Sequence, residues 1–200
     1  MSAQEALYVV VGLGNPGKGY ENTRHNIGFL AADKFAETKG VVFQKKRSFY
    51  GLTAEWVSGN KKIILLKPET YMNSSGESVR ALVSYYGVLL ENLCVVCDEI
   101  YLPFGKMRMR ASGGSGGHNG LKSISSHLGS ELYPRLRIGV GDREEGDLAD
   151  YVLSPFKEEE KLKIPSLLHQ ASDALECWLN NGITQAMHCA NACLEQKLGE

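Results

Sequence analysis

Apolar positions along this chain fall in short blocks separated by glycines and polar turns, and the period inside each block identifies its structure. Leu7 to Leu13 is a β-branched apolar run ending in glycines, which predicts a buried strand. Across 22–39, Ile27, Leu30, Ala31, Lys34, Phe35 and Thr38 recur at near-helical spacing, predicting a helix with Asn22 or Thr23 as its N-cap. Leu52–Val57 and Ile63–Leu66 predict two strands joined by a turn at Ser58-Gly59-Asn60. Pro68 then leads into a turn and a helix over 75–86, with Val79, Leu82, Val83 and Tyr86 on one face. Leu93–Val96 reads as another buried strand, and Lys106–Arg110 alternates as a strand should. A helix over 118–128 keeps Leu121, Ile124, Ser125 and Leu128 in register, and Leu136–Val140 is a further strand. Residues 157–181 are helical in pattern but carry Pro165, which predicts a break or a second start, and 183–194 form a last helix.

Strands interleaved with helices give an α/β chain, here expected as one domain over residues 1–200: a three-layer α/β/α sandwich around a twisted mixed sheet. In open sheets of this kind ligands bind beyond the carboxyl ends of strands. The loops that follow strands are 12–25, 67–73, 97–105, 111–119 and 141–150, and most of the unusual chemistry lies in them.

Composition narrows the class. With 43% hydrophobic and 22% charged residues in a chain of 200, neither disorder nor a membrane protein is favoured. The longest apolar runs, such as Ile63-Ile64-Leu65-Leu66, are too short to span a bilayer, and no signal peptide is visible. Five cysteines, odd in number and sparse, argue against a disulfide scaffold and for a reducing cytoplasm. Net charge is only −1, but residues 1–140 hold 17 Lys/Arg against 11 Asp/Glu while 141–200 hold 5 against 12. A basic body with an acidic C-terminal region follows, either as two solvated surfaces or as a surface for an acidic partner.

The loop motifs each admit more than one reading. Gly12-Leu13-Gly14-Asn15-Pro16-Gly17 fits the G-x-G-x-x-G pattern after a strand. The glycines do not open the helix, however, and no acidic residue ends a second strand for a ribose, so a rigid loop presenting Asn15, Tyr20 and His25 fits better than a dinucleotide site. His25 suits a general base where a carboxylate orients it, and Asp98, at the end of an apolar strand, is the candidate orienter. Asn73 and Asn119 stand beside glycines, either as turn and cap residues or as amides aimed at a carbonyl or a water. Gly113-Gly114-Ser115-Gly116-Gly117 matches the nucleophile-elbow pattern, making Ser115 a rival nucleophile, although the strand before it is polar and alternating. Cys94 and Cys97 lie in one strand, three apart, and so point to opposite faces, against a joint metal or redox role. Cys189 and Cys193 read as core packing on the last helix. Lys106, Arg108 and Arg110 share one strand face, with Arg135 and Arg137 nearby, either as a solvated face or as a cationic cluster whose repulsion a phosphate would relieve.

Four longer patterns resemble one family. They are G-L-G-N-P-G-x-x-Y-x-x-T-R-H-N-x-G-F at 12–29, K-P-x-T-Y-M-N-x-S-G at 67–76, G-x-x-R-x-R-x-x-G-G-x-G-G-H-N-G-L-K-S at 105–123, and R-L-R-I-G-V-G followed by D-Y-V-L-x-x-F at 135–156. In this order they resemble the bacterial-type peptidyl-tRNA hydrolases over about residues 7–190. The resemblance implies a cytoplasmic esterase without metal or cofactor, which cleaves the ester between a peptide and the 3′ ribose of tRNA. By the same resemblance His25 is the catalytic base, Asp98 its partner, and Asn15, Asn73 and Asn119 the site amides. Tyr20 borders the site, Met72 walls the peptide pocket, and Arg110 and Arg137 clamp a tRNA phosphate. Residues 142–155 are implied to form a mobile lid ahead of the C-terminal helices at 157–194. The chain departs from the family in having Cys97 and Tyr101 around the carboxylate and Ser115 in the glycine loop. Peptidyl-tRNA is the expected partner, no membrane is, and the absence of a long exposed apolar stripe points to a monomer. The alternative is a non-catalytic RNA-binding relative of the same fold.

Overall fold

Seven strands form a single mixed sheet in the computed structural model, which describes residues 6–141 and 147–195. In chain order they are β1 Ala6–Gly12, β2 Gln44–Lys46, β3 Gly51–Ser58, β4 Lys61–Pro68, β5 Leu93–Glu99, β6 Met107–Arg110 and β7 Arg135–Gly139. Their order across the sheet is β2-β3-β4-β1-β5-β7-β6. The four middle strands β4, β1, β5 and β7 are mutually parallel; β3 on one side and β6 on the other run against them, and β2, antiparallel to β3, runs with the middle strands again. The helices are α1 Ile27–Lys39, α2 Ser75–Tyr86, α3 Asn119–Leu128, α4 Leu148–Val152, α5 Glu158–Lys161 and α6 Ile164–Glu195.

Strand alternation divides the core in two. Val10, Ile63, Leu65, Cys94, Val96, Leu136 and Ile138 meet Ala31 and Phe35 of α1 and Leu175 and Trp178 of α6 on one face. Val9, Val11, Ile64, Leu66, Val95 and Cys97 meet Val79 and Leu82 of α2 and Leu121 and Ile124 of α3 on the other. The expected three-layer α/β/α sandwich is therefore present. Cys94 and Cys97 belong to opposite cores, as their spacing requires.

Several boundaries differ from those the sequence predicts. The helix expected from residue 22 starts at Ile27, after two 3-10 turns at Lys18–Tyr20 and Arg24–Asn26. Neither Asn22 nor Thr23 caps it: the Thr23 hydroxyl donates to the Tyr20 carbonyl at 2.8 Å, and Asn26 occupies the N-cap position with its side chain engaged elsewhere. The edge strand β2 escapes an apolar pattern because all three of its residues are exposed. Pro165 does mark a second start, standing in the first turn of α6 where its missing N–H costs no hydrogen bond. The last two predicted helices form the two arms of α6, joined across Gly182, whose φ of 80° and ψ of 175° are non-helical.

Two glycines set how closely α1 approaches the sheet. A Cβ on Gly12 would fall inside contact distance of the Gly28 carbonyl, and one on Gly28 would strike the backbone of Val96 and Leu13. The glycines after β1 thus serve helix–strand packing and bring the turn at residues 24–26 down onto the end of β5.

Candidate active site

The carboxyl ends of the parallel strands converge on one cleft of about 450 Å³. Asn15 follows β1, Tyr71, Met72 and Asn73 follow β4, and Asp98 and Glu99 end β5. Gly116, Gly117, His118 and Asn119 come from the loop after β6, while Leu148, Ala149, Val152 and Leu153 close the side beyond β7. This is where strand ends of an open α/β sheet place ligands.

The four residues Thr23-Arg24-His25-Asn26 are all buried, and each has a separate structural task. Thr23 closes the preceding turn. Asn26 holds the backbone of Asn15 from both sides: its Oδ1 accepts the Asn15 N–H at 2.8 Å and its Nδ2 donates to the Asn15 carbonyl at 3.0 Å. The Asn15 side chain is fixed in turn, its Oδ1 accepting the Met72 N–H at 2.8 Å. The Asn15 Nδ2 is therefore the end left to donate to a ligand in the cleft.

Arg24 anchors the segment beyond β7. Its backbone N–H donates to the Ser154 carbonyl at 3.1 Å, and its guanidinium donates to Ser154 Oγ at 3.0 Å and to the Pro155 carbonyl, and pairs with Glu160 at 2.7 Å. The guanidinium also lies 4.5 Å from the Tyr151 ring centre and 5.3 Å from that of Phe156. Removing a buried partner leaves a carboxylate and several acceptors unpaired. Arg24→Met is therefore expected to lower the unfolding free energy by about 3 kcal/mol, measured by urea denaturation. Glu160→Gln, which keeps an acceptor, is expected to cost less.

His25 and Asp98 meet as expected, the His25 Nδ1–H donating to Asp98 Oδ1 at 2.8 Å. The sequence reading overlooked the third member. His118 Nε2–H donates to the same Oδ1 at 2.9 Å, and its Nδ1 accepts the N–H groups of Gly120 and Leu121 at 3.1 and 3.3 Å. Those two backbone donors place a His118 proton on Nε2, which faces the carboxylate. It is also the N-cap of α3, a place the sequence reading allowed to Asn119. A histidine directly after two glycines at a helix start was the available signal.

Burial by itself pushes the Asp98 pKa up, but His118 and then His25 more than offset this, and the carboxyl is held well below the usual range. Because the folded-state pKa lies under the unfolded value of about 3.9, the stabilisation is complete above that pH and is lost as pH falls below it. Unfolding free energies of the natural protein and Asp98→Asn are expected to differ most near neutrality and to converge below about pH 4, as acid and neutral denaturation series would show.

His25, Asp98 and His118 are the group of metal-ligating side chains among the described residues, with their ligand atoms within 4.8 Å of one another. As hydrogen-bonded here, two N–H protons already occupy the carboxylate oxygen, so an ion at this point would have to displace both.

The remaining candidates are dispersed around this centre. Met72 is buried against Gly120, where a Cβ would come within 2.6 Å of its Sδ, and with Asn73 and Asn119 it lines the cleft. Tyr20 lies in the turn that leads to His25 and is not among the lining residues. The Arg137 guanidinium, at the cleft wall, pairs with Glu99 and donates to the Gly114 carbonyl at 2.7 Å. Arg135, buried, also donates to Gly114 and to the Glu131 carbonyl at 2.8 Å. Both β7 arginines therefore brace the glycine loop. Arg110 is exposed on β6, in register with Arg135, roughly 10 Å along and 10 Å across the sheet from Asp98. Ser115 is not a lining residue, and its carbonyl accepts the His118 N–H at 3.2 Å within a loop rather than at a sharp strand-to-helix elbow. Ser115→Ala is expected to leave kcat/KM nearly unchanged in an ester-hydrolysis assay.

Known proteins share this sequence and fold. A family model described as peptidyl-tRNA hydrolase matches residues 9–198. The peptidyl-tRNA hydrolase of Clostridium acetobutylicum is 45% identical over 185 residues, covering 92% of this chain and 98% of its own. That of Carboxydothermus hydrogenoformans is 46% identical over 181 residues, covering 90% and 96%. The crystal structure of the Acinetobacter baumannii peptidyl-tRNA hydrolase superposes with a TM-score of 0.88 at 32% identity, over 96% of this chain and 98% of that one. An Arabidopsis thaliana 5′-methylthioadenosine nucleosidase shares the fold alone, at 6% identity and a TM-score of 0.54. With its four motifs gathered at one cleft and its whole length matched, the chain belongs to the peptidyl-tRNA hydrolase family.

Proposed function

We propose that this protein hydrolyses the ester between a peptide, or an N-blocked amino acid, and the 3′ ribose of tRNA, with His25 as base. The observation that carries the reading is the His25–Asp98 pair in a cleft walled by Asn15, Asn73 and Asn119. With Nδ1–H committed to Asp98, His25 keeps Nε2 as the ring nitrogen that can accept a proton from water. The water oxygen attacks the ester carbonyl carbon while His25 takes the proton. The negative charge that develops on the carbonyl oxygen is met by amide N–H donors, Asn15 Nδ2 first among them. The C–O bond to the ribose then breaks and His25 returns the proton to the leaving 3′-oxygen. No covalent enzyme intermediate is required, which suits a cleft with no serine among its described lining residues.

Met72 and the apolar side chains of Leu148, Val152 and Leu153 give the cleft a wall for the peptide. Asn73 and Asn119 supply polar contacts to the peptide backbone or the water, and Tyr20 supports the approach to His25. On the RNA side, Arg110 supplies a cation at a distance suited to a backbone phosphate rather than to the ester. Arg137 presents the glycine loop and the edge of its paired guanidinium. Of the expected lid at 142–155, residues 142–146 fall outside the described residues, and Leu148, Val152 and Leu153 of the remainder cover one side of the cleft. We read the chain as a single-domain cytoplasmic monomer. Among the described residues no helix is long and apolar enough to cross a membrane.

The test is release of an N-acetylated amino acid from its tRNA ester, with unblocked aminoacyl-tRNA as control and EDTA present and absent. Rapid cleavage of the blocked substrate, indifferent to EDTA, is the expected result. Salt-dependent tRNA binding without cleavage would move the protein to the RNA-binding class.

A further inference from the structure

The two arms of α6 carry a pair of thiols that the hydrolase reading leaves unused. Cys177 and Cys189 are twelve residues apart, and in an unbroken helix that separation spans about 18 Å. Their sulfurs nevertheless lie 3.2 Å apart. The chain turns back on itself at Gly182, whose backbone angles only glycine readily adopts, so one thiol on each arm faces the other across the corner. The sequence reading of Cys189 as core packing is corrected here, since Cys189 is exposed and Cys177 half-buried. Cys94 and Cys97, by contrast, are fully buried in separate cores.

The corner has a structural purpose. The first arm packs on the sheet through Leu167, Ala171, Leu175 and Trp178, and the second through Ala186 and Ala190. Near the end of the second arm, Asn191 Oδ1 accepts the Met109 N–H at 2.9 Å and its Nδ2 donates to the Met109 carbonyl at 3.3 Å. The side chain so covers the open edge of β6, the strand that carries Arg108 and Arg110. The angle between the arms determines whether this cover stays in place.

We propose that Cys177 and Cys189 are a site of reversible disulfide formation by low-molecular-weight disulfides, and that the bond locks the α6 hairpin onto the edge of β6. The exposed Cys189 thiolate attacks the small disulfide, forming a mixed disulfide and releasing one thiol. The Cys177 thiolate then attacks the Cys189 sulfur, the Cys177–Cys189 bond forms and the second small thiol departs. Two protein thiols are oxidised and one small disulfide is reduced to two thiols. Partial burial, and then the neighbouring Cys189, push the Cys177 thiol up to about 11, which suits it to the second step rather than the first. Once Cys189 is capped, that neighbour no longer holds the Cys177 proton.

The folded protein is incubated with oxidised glutathione, alkylated and digested with chymotrypsin, which can cut at Trp178 and Met187 between the two cysteines. The expected product is the Cys177 peptide joined to the Cys189 peptide, formed equally in Cys193→Ser, absent in Cys189→Ser, and reversed by dithiothreitol. The linked protein is expected to melt roughly 5 °C higher, to protect the Met109 amide from hydrogen exchange, and to retain hydrolysis, because neither thiol lines the cleft. Stable glutathione on Cys189 with Cys177 left free, or a link lost in Cys193→Ser, would overturn the proposal. Neither result depends on the substrate of the cleft.

Discussion

His25→Ala is expected to lower kcat/KM on N-blocked aminoacyl-tRNA by about 10²–10⁴, with the unfolding midpoint close to that of the natural protein. The fold should tolerate the change because His25 makes one side-chain bond, to Asp98, while the neighbours Arg24 and Asn26 carry the cross-links that hold the turn. Asp98 is then still held by His118. The loss belongs to chemistry and not to RNA binding, so tRNA affinity at fixed salt should change little. A filter-binding measurement alongside the kinetics separates the two. Full activity in the folded variant would remove His25 as the base and require another proton acceptor in the cleft.

Asp98 permits a sharper dissection, because both histidines donate to one oxygen. An asparagine that places its carbonyl where Oδ1 stands keeps both hydrogen bonds and loses the charge, whereas alanine loses both. Asp98→Asn is expected to reduce kcat by about 10² and Asp98→Ala by about 10³–10⁴. The gap between them measures how much of the carboxylate's work is orientation. If charge alone mattered, the two variants would be equally slow. If Asn were as poor as Ala, its amide would have been forced to turn an N–H toward His25, impose the wrong tautomer and leave Nε2 protonated. Steady-state kinetics beside imidazole proton NMR distinguishes these outcomes.

How far the site was legible can be followed residue by residue. Asp98 was readable because a carboxylate at the end of Leu93–Val96 has no place in an apolar core, and His25 because it follows a glycine-rich loop at the end of a buried strand. The sheet was readable from the alternation that sends Cys94 and Cys97 to opposite faces. His118 was not, since its role depends on a contact with Asp98 twenty residues away and on a cap that Asn would ordinarily supply. The start of α1 was misplaced because Thr23 looks like a cap yet spends its hydroxyl on Tyr20, while Asn26, which holds the N-cap position, spends its side chain on Asn15. Arg24 and Arg135 read as surface charge by residue type alone. They are buried because carbonyls distant in sequence, Pro155 for Arg24 and Gly114 for Arg135, come onto their guanidinium groups, which no local pattern shows.

The clasp between Arg24 and residues 154–160 also bears on how the protein is made. A hydrolase of this kind is itself assembled as the peptide half of a peptidyl-tRNA. While residues 154–160 are still inside the ribosome, Arg24 has no Ser154, Pro155 or Glu160 to grip, and the turn bearing His25 lacks its outer anchor. This anchor of the turn bearing His25 therefore forms late in translation, after most of the chain has emerged.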